Sequence, residues 1–315
     1  MVLIKIKFVD HYNGFNPESD RIFTFLKRHF PVVLTESDPD FIIYSSWGSE
    51  HLHYDCPKIF YTGENHRPNF FLCDYALGFD FLNRTDYLRV PLYSILWYYD
   101  FSTLLFPKQQ QILDQNPKTK FCCFVASNAG AMERNNFFKK LSNYLPVDSG
   151  GKVLNNVGGP VPDKIQFMKP YKFCIAYENS SYPGYVTEKI MDCFIAGCIP
   201  IYWGSTCIEK DFNPKRILNR LDYKSDEELI AEIKYLNENH SAYNEFIAQP
   251  IFTNNQFTEY FDESRLVKFF EKIFNGPSES RSKGIRKYIG LSLRFNKMIY
   301  SRIKKKLGYT GRVWY

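Results

Sequence analysis

A chain of 315 residues is too long for one small domain and fits two units of ordinary size or one large one. With 44% hydrophobic and 23% charged residues it has the balance of a folded globular protein, which excludes a largely disordered chain. The net charge of +6 excludes little, because residues 281–315 carry 11 Lys/Arg and no acid, leaving 29 basic against 34 acidic residues elsewhere.

The opening "LIKIKFVD" alternates as a strand does, and lysines interrupt it too often for a signal segment or a membrane span. "NPESDRIFTFLKRHF" has proline and acids at its start, bases at its end and Ile22, Phe23, Leu26 and Phe30 near helical spacing, so it is expected to be an amphipathic helix. "VVLT", "DFIIYSS" and "KIFYTGEN" follow as short apolar runs ending in polar turns. This β-α-β-β texture predicts a largely parallel, buried sheet.

"PKQQQILDQNPKTK" is polar and reads as a linker. A second alternation then begins: strand "KFCCFVAS", loop "NAGAME", helix "RNNFFKKLSNYL", a glycine-rich stretch, strand "YKFCIAYEN", loop "SSYPGY", helix "VTEKIMDCFIAG" and strand "IPIYWG". Ser225 with Glu228 forms a capping box before "DEELIAEIKYLNEN", and "ESRLVKFFEKIF" supplies one more helix. The pattern implies an α/β fold of two Rossmann-like domains, residues 1–116 and 117–280 with its closing helix, followed by a basic tail over 281–315. All eight cysteines lie in or beside apolar runs and none forms a C-x-x-C pair, so free thiols in a reducing cytosol are expected rather than disulfides or structural zinc.

In open α/β sheets ligands bind beyond the carboxyl ends of the strands, where helix N-termini present free N–H groups. Two such places occur. In "FVASNAGAMERNNFF" a short loop leads to Arg134 as a helix opens; its planar fork suits phosphate, although the stretch by itself favours an exposed first-turn arginine. In "YENSSYPGYVTEKIMDCF" the helix is expected to begin near Val186 to Thr187, placing Glu188 and Lys189 in its first turn. A lysine there costs about 0.3–1 kcal/mol against the helix dipole, a conflict that an anion at the helix tip would relieve. Glu188 suits sugar or ribose hydroxyls, and Gly184 would let backbone approach a ligand; solvated side chains and a simple turn explain the same residues equally well. Neither G-x-G-x-x-G nor G-x-x-x-x-G-K-[ST] occurs, against a dinucleotide cofactor and P-loop chemistry. Neutralising a diphosphate would fall to Arg134, Lys189 and backbone amides, a design that requires no metal.

"FVASN…RNNFF", "YKFCIAYENSSYPGYVTEKIMDCFIAGCIPIYWGS" and "DFNP" resemble the donor-binding signature of the α1,3/4-fucosyltransferases, glycosyltransferase family 10. "KIFYTGENHRPNF" and "DYALGFDFL…DYLRVPLY" match the family's amino-terminal half. The resemblance implies a GT-B fold with two Rossmann-like domains facing across a cleft. It also implies GDP-fucose as donor, no essential divalent metal, and inverting transfer to O3 or O4 of N-acetylglucosamine or glucose in a β-galactoside-containing glycan such as N-acetyllactosamine. By motif position Arg134 and Lys189 would bind the diphosphate, Glu188 ribose or fucose hydroxyls, and Asn179 and Tyr185 the nucleotide and sugar. Glu64 in "TGEN" matches the family's proposed general base; alone it reads as a turn carboxylate. A catalytically inactive nucleotide-sugar or glycan-binding module of the same fold is the alternative.

The family's animal members carry a transmembrane helix and stem, which this sequence lacks; it resembles the bacterial members. The tail places Ile285, Ile289, Leu293 and Met298 among basic residues, the pattern of an amphipathic helix on an anionic membrane surface, with a solvated extension as the competing account. Gly284, Gly290 and Gly308 weaken that helix by about 1 kcal/mol each relative to alanine. The expected location is cytoplasmic, peripheral on the inner membrane face, and nucleic acid is not expected as a partner.

Overall fold

The structure, a computed structural model, describes residues 3–95, 99–115 and 117–306. By internal packing the chain forms two compact units, one of residues 1–78, 82–89 and 264–315 and the other of 79–81 and 90–263.

The first unit opens with β1 (Ile4–Val9) and α1 (Arg21–His29). The helix starts five residues after Asn16, where the stretch read as helical begins. Pro17 opens a separate turn, and Asp20, held extended, becomes the N-cap and accepts from the amides of Ile22 and Phe23 at 2.9 and 3.1 Å. Strands β2 (Val32–Leu34), β3 (Phe41–Tyr44), β4 (Lys58–Tyr61), β5 (Tyr75–Gly78) and β6 (Tyr87–Arg89) complete a sheet of order β2-β1-β3-β4-β5-β6. Every pairing is parallel, and β3 and β4 are buried along their whole length, as continuous apolar runs require.

The second unit begins immediately after β6 rather than at residue 117, a correction to the expected boundary. Tyr93 and Leu104 lie in its core, the Tyr93 hydroxyl donates to Asp211 at 2.7 Å, and the Phe106 amide donates to Asn255 at 2.9 Å. The polar stretch read as a linker contains α2 (Lys108–Gln115). Then come β7 (Lys120–Phe124), α3 (Met132–Ser142), β8 (Val147–Ser149), α4 (Lys164–Met168), β9 (Tyr171–Tyr177), α5 (Glu188–Ile195), β10 (Ile199–Trp203), β11 (Leu218–Asn219), α6 (Asp226–Glu238) and α7 (His240–Ile247). The parallel sheet has the order β11-β10-β9-β7-β8. Ser225 caps α6 by accepting from the Glu228 amide at 3.3 Å, while the Glu228 carboxylate reaches the amide of Lys224 instead of the cap residue, so the box closes one residue early.

The chain then returns to the first unit. The closing helix α8 (Glu263–Phe274), expected with the donor domain, buries Leu266, Phe269, Phe270 and Ile273 and stacks Phe270 and Phe274 among Phe25, Phe30 and Phe41. Full burial of Phe270 and Ile273 is worth about 1.5–3 kcal/mol each, which fixes the helix there. The segment after it is fastened too: the Ser280 hydroxyl and Arg281 amide donate to the Asp74 carboxylate, and Lys58 Nζ donates to Ser282. Helix α9 (Ile285–Lys306) starts directly after Gly284, at φ +72, and packs Gly290 against Leu72, while Gly308 lies outside the described residues. The expected separate tail is therefore part of the first unit at its beginning. All eight cysteines are free, six of them buried.

Candidate active site

In the second unit β7 is the switch point of the sheet: β8 extends on one side of it and β9, β10 and β11 on the other. The loops leaving β7 and β9 at their carboxyl ends are therefore neighbours, with Phe124 opposite Ile175. They deliver α3 with Arg134 and α5 with Lys189.

Arg134 is buried, only 2% exposed, so the exposed first-turn arginine does not hold. One of its terminal nitrogens donates to Asn179 Oδ1 at 2.9 Å, another to the Asn128 carbonyl, and its plane lies over the Phe124 ring at 5.7 Å. Its Nε is buried without a hydrogen-bond partner. Burial pushes its pKa below the ordinary value, opposed by the nearby Glu178 and Tyr185. The contact with Asn179 ties the β7 loop to the β9 loop.

Glu178 organises the cluster, and the sequence reading overlooked it. It is fully buried at the end of β9. One carboxylate oxygen accepts from the Thr187 amide at 2.8 Å and the other from Lys189 Nζ at 3.1 Å, with the Thr187 hydroxyl 2.8–2.9 Å from both. Thr187 is the N-cap of α5, so the carboxylate holds the helix tip directly. Burial opposes the charge on Lys189, yet Glu178 and Glu188 outweigh it and raise the ammonium above its usual value, while Arg134 acts in the opposite sense. The missed signal was physical: a cation drawn into a sheet end needs a carboxylate, and a lone acid closing an apolar strand is the natural one.

The other expected residues fall around this core. Glu188 is the first residue of α5, its side chain 34% exposed and one oxygen 3.6 Å from Lys189 Nζ. Tyr185 is 1% exposed and packs edge to face on Phe79, with ring centroids 4.8 Å apart. Gly184, at φ +82, is required for a reason other than ligand approach: a Cβ there would stand 2.3 Å from the Phe79 carbonyl oxygen. The loop is locked by the Trp-Gly-Ser segment after β10. The Gly184 amide donates to Ser205 Oγ at 3.0 Å, the Glu178 amide to the Trp203 carbonyl at 2.7 Å, and a Cβ on Gly204 would meet Glu178 Cγ at 2.5 Å.

Glu64 belongs to the first unit, just beyond the carboxyl end of β4. Its amide donates to Thr62 Oγ1 at 3.1 Å and its carbonyl accepts from the His66 amide at 2.7 Å; among the described residues its carboxylate has no hydrogen-bond partner. Among the described residues no group of three or more His, Cys, Asp or Glu is placed to hold a metal, and no helix is long and apolar enough to cross a membrane.

Two family profiles match the chain one after the other. The profile of the α-(1,3)-fucosyltransferase FucT N-terminal domain matches residues 6–97, and that of the glycosyltransferase family 10 (fucosyltransferase) C-terminal part matches 115–261. The chain is 36% identical over 255 residues to an α-(1,3)-fucosyltransferase FucT of Helicobacter pylori, covering 70% of this chain and 53% of that protein. It is 33% identical over 200 residues to a putative fucosyltransferase of Acanthamoeba polyphaga mimivirus, covering 58% and 33%. The chain thus spans about half or less of these curated relatives. A crystal structure of an α1,3-fucosyltransferase superimposes with a TM-score of 0.76 at 30% identity, covering 90% of this chain and 93% of that one. One of an α1,3-fucosyltransferase with GDP-fucose gives 0.72 at 30% identity, covering 87% and 90%. With both halves matched by fucosyltransferase profiles and a GT-B type fold of two parallel-sheet domains, the chain belongs to the glycosyltransferase family 10 fucosyltransferases.

Proposed function

We propose that the protein transfers L-fucose from GDP-β-L-fucose, with inversion, to O3 or O4 of N-acetylglucosamine or glucose in a β-galactoside-containing acceptor. The observation that carries this reading is the meeting of Arg134, Lys189 and the tip of α5 at the switch point of the second sheet. Buried Glu178 fixes where Lys189 points, while Glu188, its side chain 34% exposed, adds a second carboxylate at the rim 3.6 Å from the ammonium. In this reading Arg134 and Lys189 take the negative charge that grows on the diphosphate as the bond to the anomeric carbon breaks, stabilising the transition state more than the bound donor. Glu188 holds hydroxyls of ribose or fucose at the rim, and Asn179 and Tyr185 shape the nucleotide seat. Glu64 takes the proton from the acceptor hydroxyl as its oxygen attacks, a contribution typically worth about 10²–10⁴ in rate. Charge neutralisation by side chains and helix tip makes a divalent cation non-essential.

The test is GDP release from GDP-fucose with a panel of β-galactoside acceptors, with and without a chelator. Acceptor-dependent release should persist in chelator. Glu64→Ala should lose about 10²–10⁴ of the transfer rate with donor affinity unchanged. No release above the acceptor-free control would defeat the proposal, and an unimpaired Glu64→Ala would move the base elsewhere.

Residues 281–315 are proposed to lie on an anionic membrane surface. Helix α9 exposes Tyr288 (72%) and Phe295 (58%) beside its lysines and arginines, an arrangement suited to interfacial binding. Co-sedimentation with anionic but not neutral vesicles is the expected result.

A further inference from the structure

At the amino-terminal end of the second sheet, opposite the Arg134 cluster, a fully buried arginine lies near a half-buried lysine. Arg216 just precedes β11 and Lys118 just precedes β7. Arg216 is 0% exposed, and among the described residues none of its three guanidinium nitrogens has a hydrogen-bond partner. Its plane lies over the Phe194 ring at 5.7 Å, near the carboxyl end of α5. The titratable groups that favour its charge are Tyr243, Cys198 and Cys193, and no carboxylate is among them. The Tyr243 hydroxyl, on α7, is likewise buried and without a partner. Lys118 is close enough for the two cations to repel. It donates to the carbonyls of Lys169 and Ala196 at 2.6 and 2.7 Å, so its hydrogen bonds are made but its charge is not balanced by an acid.

Buried polar groups in folded proteins are hydrogen-bonded, and buried charges are paired. A guanidinium with every nitrogen idle, a phenol with an idle hydroxyl and a second cation nearby all call for the same missing group. We propose that Arg216, Tyr243 and Lys118 enclose an internal site for a small monatomic anion of the chloride class. The anion accepts from the Arg216 fork and the Tyr243 hydroxyl and balances the charge of the cation pair. Full enclosure of Arg216 selects against a hydrated or bulky anion. The site stabilises the fold and takes no part in transfer, so it stands whether or not the fucosyltransferase reading does.

Thermal unfolding of the full chain is measured in sodium chloride and in sodium gluconate at fixed ionic strength, since gluconate is too large to enter. A ligand that binds only the folded state raises the midpoint with concentration. The midpoint should rise along the chloride series and stay level in gluconate. Arg216→Met should abolish the difference between the two salts. Tyr243→Phe, which removes one donor and keeps the ring, should shift the chloride dependence to several-fold higher concentration and keeps the test open if the first variant does not fold. Crystals soaked in bromide should show an anomalous peak beside the Arg216 guanidinium. Equal midpoints in both salts, or ordered water alone at Arg216 in the bromide-soaked crystal, would overturn the proposal.

Discussion

Replacing Glu178 by alanine removes the only carboxylate among the described residues in hydrogen-bond contact with Lys189, along with the acceptor of the Thr187 amide. Glu178 is fully buried and the Lys189 side chain is 18% exposed, so water compensates little. Breaking a buried pair from one side costs about 3–5 kcal/mol, because Lys189 would keep only the rim carboxylate of Glu188, 3.6 Å away and beyond hydrogen-bond distance. For a unit of this size each kcal/mol lowers the melting midpoint by about 2–4 °C, giving a fall of roughly 6–20 °C in nucleotide-free protein. Glu178→Gln keeps the shape and an acceptor for Thr187 and should lose less. A double-mutant cycle of Glu178→Gln with Lys189→Met, read by calorimetry, should return a coupling of about 1–3 kcal/mol, the range for contacting residues. A fall under about 3 °C for the alanine variant, or no coupling in the cycle, would show that the carboxylate does not hold the helix tip and would remove the reason for Lys189 to be fixed.

Arg134→Ala should weaken GDP binding by roughly 10- to 100-fold in titration calorimetry, the loss of charged hydrogen bonds worth about 1.5–3 kcal/mol. Gly184→Ala places a methyl group 2.3 Å from the Phe79 carbonyl at φ +82, and should destabilise the second unit by about 1–3 kcal/mol in urea titrations. His11, stacked on Phe15 with centroids 3.9 Å apart and Nε2 buried without a partner, has its pKa pushed down by burial to about 4. The unfolded chain then binds the proton first, so its contribution is complete above about pH 6.5 and is lost as pH falls toward 4, a change of roughly 3 kcal/mol. His11→Phe should flatten stability across that window.

What the sequence disclosed divides along physical lines. The parallel strands announced themselves because β1, β3, β4, β7, β9 and β10 are continuous or alternating apolar runs, and α5 begins at Glu188, just past the Val186 to Thr187 start expected of it. The unit boundary was hidden because the polar, glutamine-rich stretch around residue 110 looks like a linker yet folds as a helix beside a core that Tyr93 and Leu104 have already entered. Amphipathic periodicity located α8 but could not say which sheet its phenylalanines cover. Arg134 and Lys189 were readable as residues and not as environments: their burial, and the Glu178 that burial demands, arise from strand order, which spacing along the chain does not encode.

The first unit takes in residues 1–78, 82–89 and 264–315, so the bulk of the second unit, residues 90–263, is an insertion within it. Tension applied between Ile4 and Phe274 would load β1, which pairs with β2 and β3, and α8, whose Phe270 and Phe274 pack among Phe25, Phe30 and Phe41 of the first unit. Melting of the insert would turn the stretch between Arg89 and Ser264 into a long floppy loop, whose closure entropy then weighs on the docking of α8. Loss of order in the inserted half is thereby felt by the first unit through chain connectivity.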